Sequence, residues 1–209
     1  LGQRERQERA AGLREELRRS FRAKLIDLDS CRVEGSCQAS QAMALYYGAF
    51  DETEEERAFA VLLELIESEA GFIDSGVFGC RALFRVLSRF GRADLAYKMI
   101  TRPEYPSFGN WVAQGATSLW EAFWDESQSG VNIAASLNHH FWGDISHWFI
   151  RHLAGICYNP RRRGHELDIR PAFVERLQHA EGFHDAPEGR IAVRWEREDG
   201  AVRLHVDAP

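Results

Sequence analysis

Near residue 160 the spacing of apolar residues changes from a helical to a strand period, and this change narrows the folds open to the chain more than any other feature. Before it, apolar positions recur at three and four: Phe59, Leu62, Leu63 and Ile66 fall at i, i+3, i+4 and i+7 and so share one helix face. After Asn159 and Pro160, Ile191, Val193 and Trp195 alternate with polar residues. Asp199-Gly200 then supplies a two-residue turn, and Val202, Leu204 and Val206 alternate again, the pattern of a β-hairpin. The expected organisation is a helical part over 1–157 and a β domain over 158–209. Short strands are also expected at Leu167 to Ile169 and over 177–184. So few strands cannot cover both faces of a sheet, so the β domain reads as incomplete, packed on the helices or on strands outside this chain.

Within the helical part, the periods predict a polar-faced helix near 5–26 (Leu13, Leu17, Phe21) and a small-residue helix near 38–48. Others are expected over 78–90 ending at Gly91, 93–100, 116–125 and 140–154, the last with Phe141, Ile145, Trp148 and His152 on one stripe. The helix containing Phe59 is expected to start with a capping box between Thr53 and Glu56 and to stop at Gly71. A length of 209 residues with 44% apolar content is enough for one or two domains with a real core. The net charge of −6 argues against a nucleic-acid partner, which needs a clustered positive surface. Arg161, Arg162 and Arg163 form the one basic cluster and read as a solvated loop. No apolar run approaches the roughly 20 residues of a membrane span, so a soluble protein is expected. The sequence opens on Leu1 rather than Met, so a missing N-terminal part of the same polypeptide is expected, and the compartment, cytoplasmic or secreted, stays open. Cys31, Cys37, Cys80 and Cys157 form no CxxC pair, which favours free thiols and leaves a Cys31–Cys37 bridge as an alternative.

Chemistry concentrates in Tyr105-Pro-Ser-Phe-Gly-Asn-Trp-Val-Ala-Gln-Gly-Ala-Thr-Ser-Leu-Trp-Glu121, which gathers aromatic rings, small residues and one carboxylate. Glu121 lies between Trp120 and Phe123. In one reading these rings desolvate it, which raises the pKa of a carboxylate and makes it a better base at neutral pH, while aromatic faces suit sugar rings. In the other, Trp120 and Trp124 are core rings and Glu121 points to solvent. Pattern alone leaves both open. Asn138, His139 and His140 form a second cluster. No HExxH spacing or other ligand pattern joins the histidines, so neither a metal nor a cofactor is expected, and a histidine that hydrogen-bonds a substrate hydroxyl fits better. No GxSxG elbow and no phosphate-cradling glycine loop occurs, and Phe78-Gly79-Cys80 reads as a close backbone approach at a helix start.

Taken in order, Gly115-Ala-Thr-Ser-Leu-Trp-Glu121, Ser136-Leu-Asn-His139 and Gly143-Asp-Ile-Ser-His-Trp-Phe-Ile-Arg-His-Leu-Ala-Gly-Ile156 resemble the C-terminal half of the alpha-L-rhamnosidases of glycoside hydrolase family 78. Cys37-Gln38-Ala39, leading into Ala42-Met-Ala-Leu-Tyr-Tyr-Gly48, resembles that family's Thr-Gln-Thr helix opening. The resemblance implies a mainly α fold, part of an (α/α)6 barrel followed by a partial antiparallel β-sandwich domain. It also implies an inverting hydrolase that releases terminal alpha-L-rhamnose, in which one carboxylic acid protonates the leaving oxygen and a second carboxylate activates water. Glu121 matches the family's general base and His139 its sugar-contacting histidine. Trp120, Trp111 and Tyr105 are carried as pocket-lining candidates. Phe123 departs from the family pattern, which usually has a second tryptophan there, and Ser118 stands where threonine is common. Nothing before Gln38 resembles the family's general acid, since Glu5, Glu8, Glu15 and Glu16 lie on a charged helix face, so the chain reads as a fragment lacking it. The alternatives are another (α/α)6 sugar enzyme, glycosidase or phosphorylase, and a non-catalytic carbohydrate-binding remnant.

Overall fold

In a computed structural model of the chain, residues 2–123, 136–159 and 167–209 are described. The chain divides into two compact units, Leu1–Val86 and Leu87–Pro209, a division by packing that falls elsewhere than the change of period near residue 160. Arg161, Arg162 and Arg163 lie outside the described residues, as does Trp124. Among the described residues no helix is long and apolar enough to cross a membrane.

In the first unit, α1 (Gly2–Leu25) leads into the two-residue strands β1 (Ile26–Asp27) and β2 (Arg32–Val33), paired antiparallel with Ile26 opposite Val33. Then come α2 (Gln38–Tyr46), α3 (Glu55–Ser68) and α4 (Val77–Arg89). The period expected of α3 holds: Phe59, Leu62, Leu65 and Ile66 are buried. Two buried glutamines tie these elements together. Gln41 of α2, with no exposed surface, accepts from Val33 N (3.0 Å) and donates to the carbonyls of Cys31 (2.8 Å) and Ala58 (2.9 Å). Gln38 donates to Phe72 O (2.8 Å) and accepts from Asp74 N (3.1 Å), pinning the loop after α3. A buried amide is tolerable because each of its polar atoms is satisfied in this way. Gly79 carries out the close approach expected of it: a Cβ there would lie 2.6 Å from Ala39 Cβ.

The expected capping box of α3 is corrected by the structure. Glu54 is the cap and Thr53 takes no part, because the Glu54 carboxylate reaches back to Asp51 N (2.8 Å) and is held by Arg22 of α1 through two bonds of 2.7 and 2.9 Å. The same arginine donates to Ala49 O (2.8 Å), and Arg18 donates to Gly48 O (2.8 Å) and to Asp51. These bonds, rather than buried apolar side chains, hold α1, along which no residue is buried. At the other end of α3, Gly71 adopts φ +74° and its N–H returns to Ile66 O (2.8 Å), the stop read from the sequence.

In the second unit, α4 ends where Arg92 N bonds to Leu87 O (2.7 Å) across Gly91 at φ +72°. α5 (Ala93–Thr101) and α6 (Phe108–Ala113) follow. No helix forms over 116–123, a second correction: the backbone bonds a helix would use go instead to residues 136–139. The helix expected over 140–154 forms in three pitches, a 3-10 turn (His140–Gly143), α7 (Asp144–Trp148) and a π turn (Phe149–Leu153), closed by Ala154 N to Phe149 O at 3.1 Å. The tighter first turn carries Phe141 off the buried stripe and leaves it 57% exposed, while Ile145 and Trp148 remain buried on it. β3 (Ile156–Tyr158) pairs antiparallel with β4 (Leu167–Ile169). β5 (His179–Ala186), β6 (Gly189–Glu198) and β7 (Ala201–Asp207) form a three-stranded antiparallel meander. Its β6–β7 turn is Asp199-Gly200, both at positive φ (48° and 79°), as a two-residue hairpin requires. Ile191 and Val193 pack with Ala154 and Ile156, and the fully buried Trp195 donates to Leu153 O (2.7 Å). The sheet therefore packs on the end of the helical segment, as its alternating face predicted. All four cysteines are free; burial pushes the thiols of Cys31 and Cys80 up, and the Cys37 sulfur caps α2 through Ser40 N (3.5 Å).

Two outcomes test this account of the first unit. Replacing Gln41 with Leu strands three buried backbone groups and lowers the denaturation free energy by about 3 kcal/mol; a midpoint shift worth less than about 1 kcal/mol would show that water reaches those groups. The Arg22 guanidinium holds the Glu54 carboxyl at about 2, below its ordinary 4.5. A carboxyl depressed on folding stabilises the protein above its unfolded value and loses that contribution as pH falls through its folded one. Glu54→Gln therefore costs on the order of 2 kcal/mol at neutral pH, and the difference from the parent protein, followed by thermal melts, shrinks as pH falls below about 4.5 and is lost only once pH has passed below about 2.

Candidate active site

The site is built from two stretches brought together side by side, residues 118–121 and 136–139. Upstream, Ser107, itself fully buried, caps α6 by accepting from Asn110 N (2.8 Å) and donates to Arg102 O (2.5 Å). Gly109 is obligatory there, since a Cβ would lie 2.5 Å from the carbonyl oxygens of both Thr101 and Arg102. α6 ends at Gly115, at φ +82°, where Ala116 N returns to Trp111 O (2.9 Å). The chain then leaves the helix and bends at 117–118 and again at 121–122 as it meets its partner segment. Glu121 N donates to Ser136 O (2.8 Å), His139 N to Leu119 O (2.7 Å) and Ser118 Oγ to Leu137 O (2.5 Å).

At Glu121 this antiparallel pairing is diverted. The amide of Ser136, which would ordinarily close the pair on the Glu121 carbonyl, donates instead to Glu121 Oε2 (2.8 Å), and the carbonyl receives the indole N–H of Trp142 (2.9 Å). His139 Nδ1 stands 3.8 Å from the same Oε2, too far for a hydrogen bond. The other carboxylate oxygen, Oε1, makes no hydrogen bond among the described residues. The His139 ring is held edge-to-face by Phe141 (4.1 Å between centroids) and lies parallel to His140 at 6.0 Å.

Beneath these groups lies an aromatic cluster. Trp111 meets Phe108 (5.2 Å), Phe123 (4.9 Å), Trp142 (5.9 Å) and Trp120 (6.0 Å), and Phe123 meets Trp142 at 4.5 Å. Such tilted and edge-to-face pairs suit the ring quadrupoles and give a stiff floor.

Of the residues singled out in the sequence, Glu121 and His139 are brought together and Trp120 adjoins them in the chain. Trp111 is 2% exposed and forms the centre of the cluster rather than a surface. Tyr105, joined by a cis peptide bond to Pro106, lies in the loop before α6 and, among the described residues, makes no ring contact with the cluster. Of the two readings of Glu121, the structure favours the solvated one: its side chain is 47% exposed. Ser136 and Trp142 were not read from the sequence as site residues. Ser136 opens the Ser-Leu-Asn-His run, which was one available signal; nothing in the spacing marks Trp142.

The bacterial alpha-L-rhamnosidase six-hairpin glycosidase domain matches residues 1–153, and the C-terminal domain of the same enzymes matches 165–209. An alpha-L-rhamnosidase of Alteromonas sp. (strain LOR) is 31% identical over 198 residues, covering 92% of this chain and 21% of its own length. Among solved structures, the alpha-L-rhamnosidase of Streptomyces avermitilis in complex with L-rhamnose superposes with a TM-score of 0.84 at 24% identity, over 94% of this chain and 19% of that one. The native enzyme of Aspergillus terreus gives a TM-score of 0.86 at 23% identity, over 99% and 24%. At these identities the two structures speak for the fold, a mainly helical six-hairpin segment followed by β structure. The chain spans about a fifth of the length of the relatives it matches. On the match over residues 1–153, the chain belongs to the bacterial alpha-L-rhamnosidase six-hairpin glycosidase family.

Proposed function

We propose that the protein containing this chain is an inverting glycoside hydrolase that releases terminal alpha-L-rhamnose, with Glu121 as the general base. The observation that carries the reading is the seating of Glu121: Oε2 is held by the Ser136 amide at 2.8 Å with His139 beside it, and Oε1 makes no hydrogen bond among the described residues. A base needs one oxygen fixed and the other presented to the group it deprotonates. In the proposed step Oε1 takes a proton from a water whose oxygen attacks the anomeric carbon. The bond to the leaving oxygen breaks as a second carboxyl group protonates that oxygen, which gives net inversion. His139 binds a sugar hydroxyl and Trp120 lines the pocket, with the buried Trp111 supporting the Trp120 ring from beneath (6.0 Å between centroids). Residues 1–157 contribute to the barrel and 158–209 begin the β domain, in keeping with the two matched regions.

The general acid is assigned to polypeptide outside this chain. Supporting this, Glu5, Glu8, Glu15 and Glu16 are all exposed on α1, a solvated face rather than a site, and the chain is only about a fifth as long as its relatives.

In the full-length protein, Glu121→Gln lowers turnover of an aryl alpha-L-rhamnoside by about a thousandfold or more, within the range that general-base removal costs. Near-parental turnover in that variant removes Glu121 from the chemistry. Proton NMR of the first turnovers shows the β anomer of the released sugar; initial release of the α anomer would replace inversion with retention. Residues 1–209 alone show no hydrolysis, and strong activity from them would place the acid within the chain.

A further inference from the structure

The mechanism above uses the Glu121 side chain, but the backbone at that residue is unusual in its own right. A carbonyl in an antiparallel pair ordinarily takes the amide opposite it, and here that amide has been drawn off to the carboxylate. The carbonyl left over is claimed by a side chain, the Trp142 indole, at 2.9 Å. Trp142 is 6% exposed, its ring lies 4.5 Å from Phe123 and 5.6 Å from Phe108, and it belongs to the 3-10 turn that begins directly after His139. The turn that follows the sugar-side histidine therefore also grips the backbone of the base.

We infer that Trp142 is a positioning residue for Glu121: its indole N–H replaces the missing ladder bond and fixes where the base carboxylate points. The inference rests on Glu121 being the base. Without that donor, the Glu121 carbonyl competes for the Ser136 amide, the bond that the ladder geometry favours. If the amide returns to the carbonyl, Oε2 loses its anchor and the carboxylate swings free. Substrate binding draws on other groups, so the damage falls on the chemical step. A displacement of about 1 Å at a reacting group costs on the order of a hundredfold in rate.

The test removes one N–H and little else. In the full-length protein, 3-benzothienylalanine at position 142 keeps the bicyclic ring and replaces the donor with sulfur; Trp142→Phe provides the simpler companion. With an aryl alpha-L-rhamnoside, kcat falls about 10- to 100-fold in both variants, KM stays within twofold, and the benzothienyl protein melts within a few degrees of the parent. Parental kcat in the benzothienyl protein overturns the inference, as does a loss confined to KM. Glu121→Gln, run in parallel, separates the two claims. If that variant is active, the assignment of the base has failed. If it is inactive while the benzothienyl protein turns over normally, only the role of Trp142 has failed.

Discussion

The seating of residues 118–121 against 136–139 is the constraint on which the site depends. Three backbone or hydroxyl bonds join the two stretches and a fourth, from the Ser136 amide, reaches the carboxylate itself. No single such bond contributes much, since a hydrogen bond within a protein replaces one to water and nets about 1 kcal/mol. Their effect is geometric. Glu121 cannot move without breaking its pairing, and His139 is bonded through its own amide to Leu119, two residues before it. A carboxylate and an imidazole eighteen residues apart in sequence are thereby held 3.8 Å apart.

The two polar stretches could not hold that arrangement unsupported, because exposed pairing of so few residues is marginal in water. The aromatic cluster supplies the rigidity. Phe108 and Trp111 come from α6, Phe123 from the segment just beyond Glu121 and Trp142 from the turn after His139, so the cluster joins elements that the polar bonds join a second time. Trp142 packs against Phe123 at 4.5 Å between ring centroids. The exposed carboxylate and the buried floor are complementary: the rings fix the backbone, and Glu121 stays half exposed above it.

Local structure was legible in the sequence wherever its cause was local. The helices over 55–68, 77–89 and 93–101 follow from three-and-four spacing and from glycines that accept positive φ, and the β6–β7 hairpin follows from Asp199-Gly200. The failures share one cause, a distant partner that decides the outcome. Trp120 and Phe123 fit a helical period over 116–125, but the hydrogen-bonding groups of that segment were claimed by Ser136, Leu137 and His139. Thr53 and Glu56 have the spacing of a capping box, but Arg22, more than thirty residues upstream, recruited Glu54 instead. Glu121 and His139 stand out in the sequence at the ends of the runs Gly115 to Glu121 and Ser136 to His139, and the structure places the two side chains 3.8 Å apart. The exposure of Glu121 was not readable, since adjacency to aromatic residues in a sequence does not say which way a side chain turns. Trp142 was silent for the same reason: its partner is a backbone carbonyl, which carries no sequence signature.

The β structure bears on the site through the helical segment that links them. His139 and Trp142 stand at the start of the continuous segment from His140 to Leu153, and its other end is clamped on several sides. Trp195 donates to Leu153 O, Ala172 N to His152 O (2.7 Å) and Arg170 N to Gly155 O (2.8 Å). Gly155 admits Pro171 so closely that a Cβ would lie 2.2 Å from its nitrogen. Midway, the Trp148 indole donates to Ser88 Oγ (2.9 Å), which fixes the rotation of the segment about its axis. The widened π turn lies between these anchors and sets the phase in which Leu153 meets the sheet. A rod fixed in rotation at its middle and in position at its far end has little freedom left at its first turn. The placement of Trp142 and His139 against Glu121 is therefore a property of the whole second unit, sheet included, and not of the site loops alone.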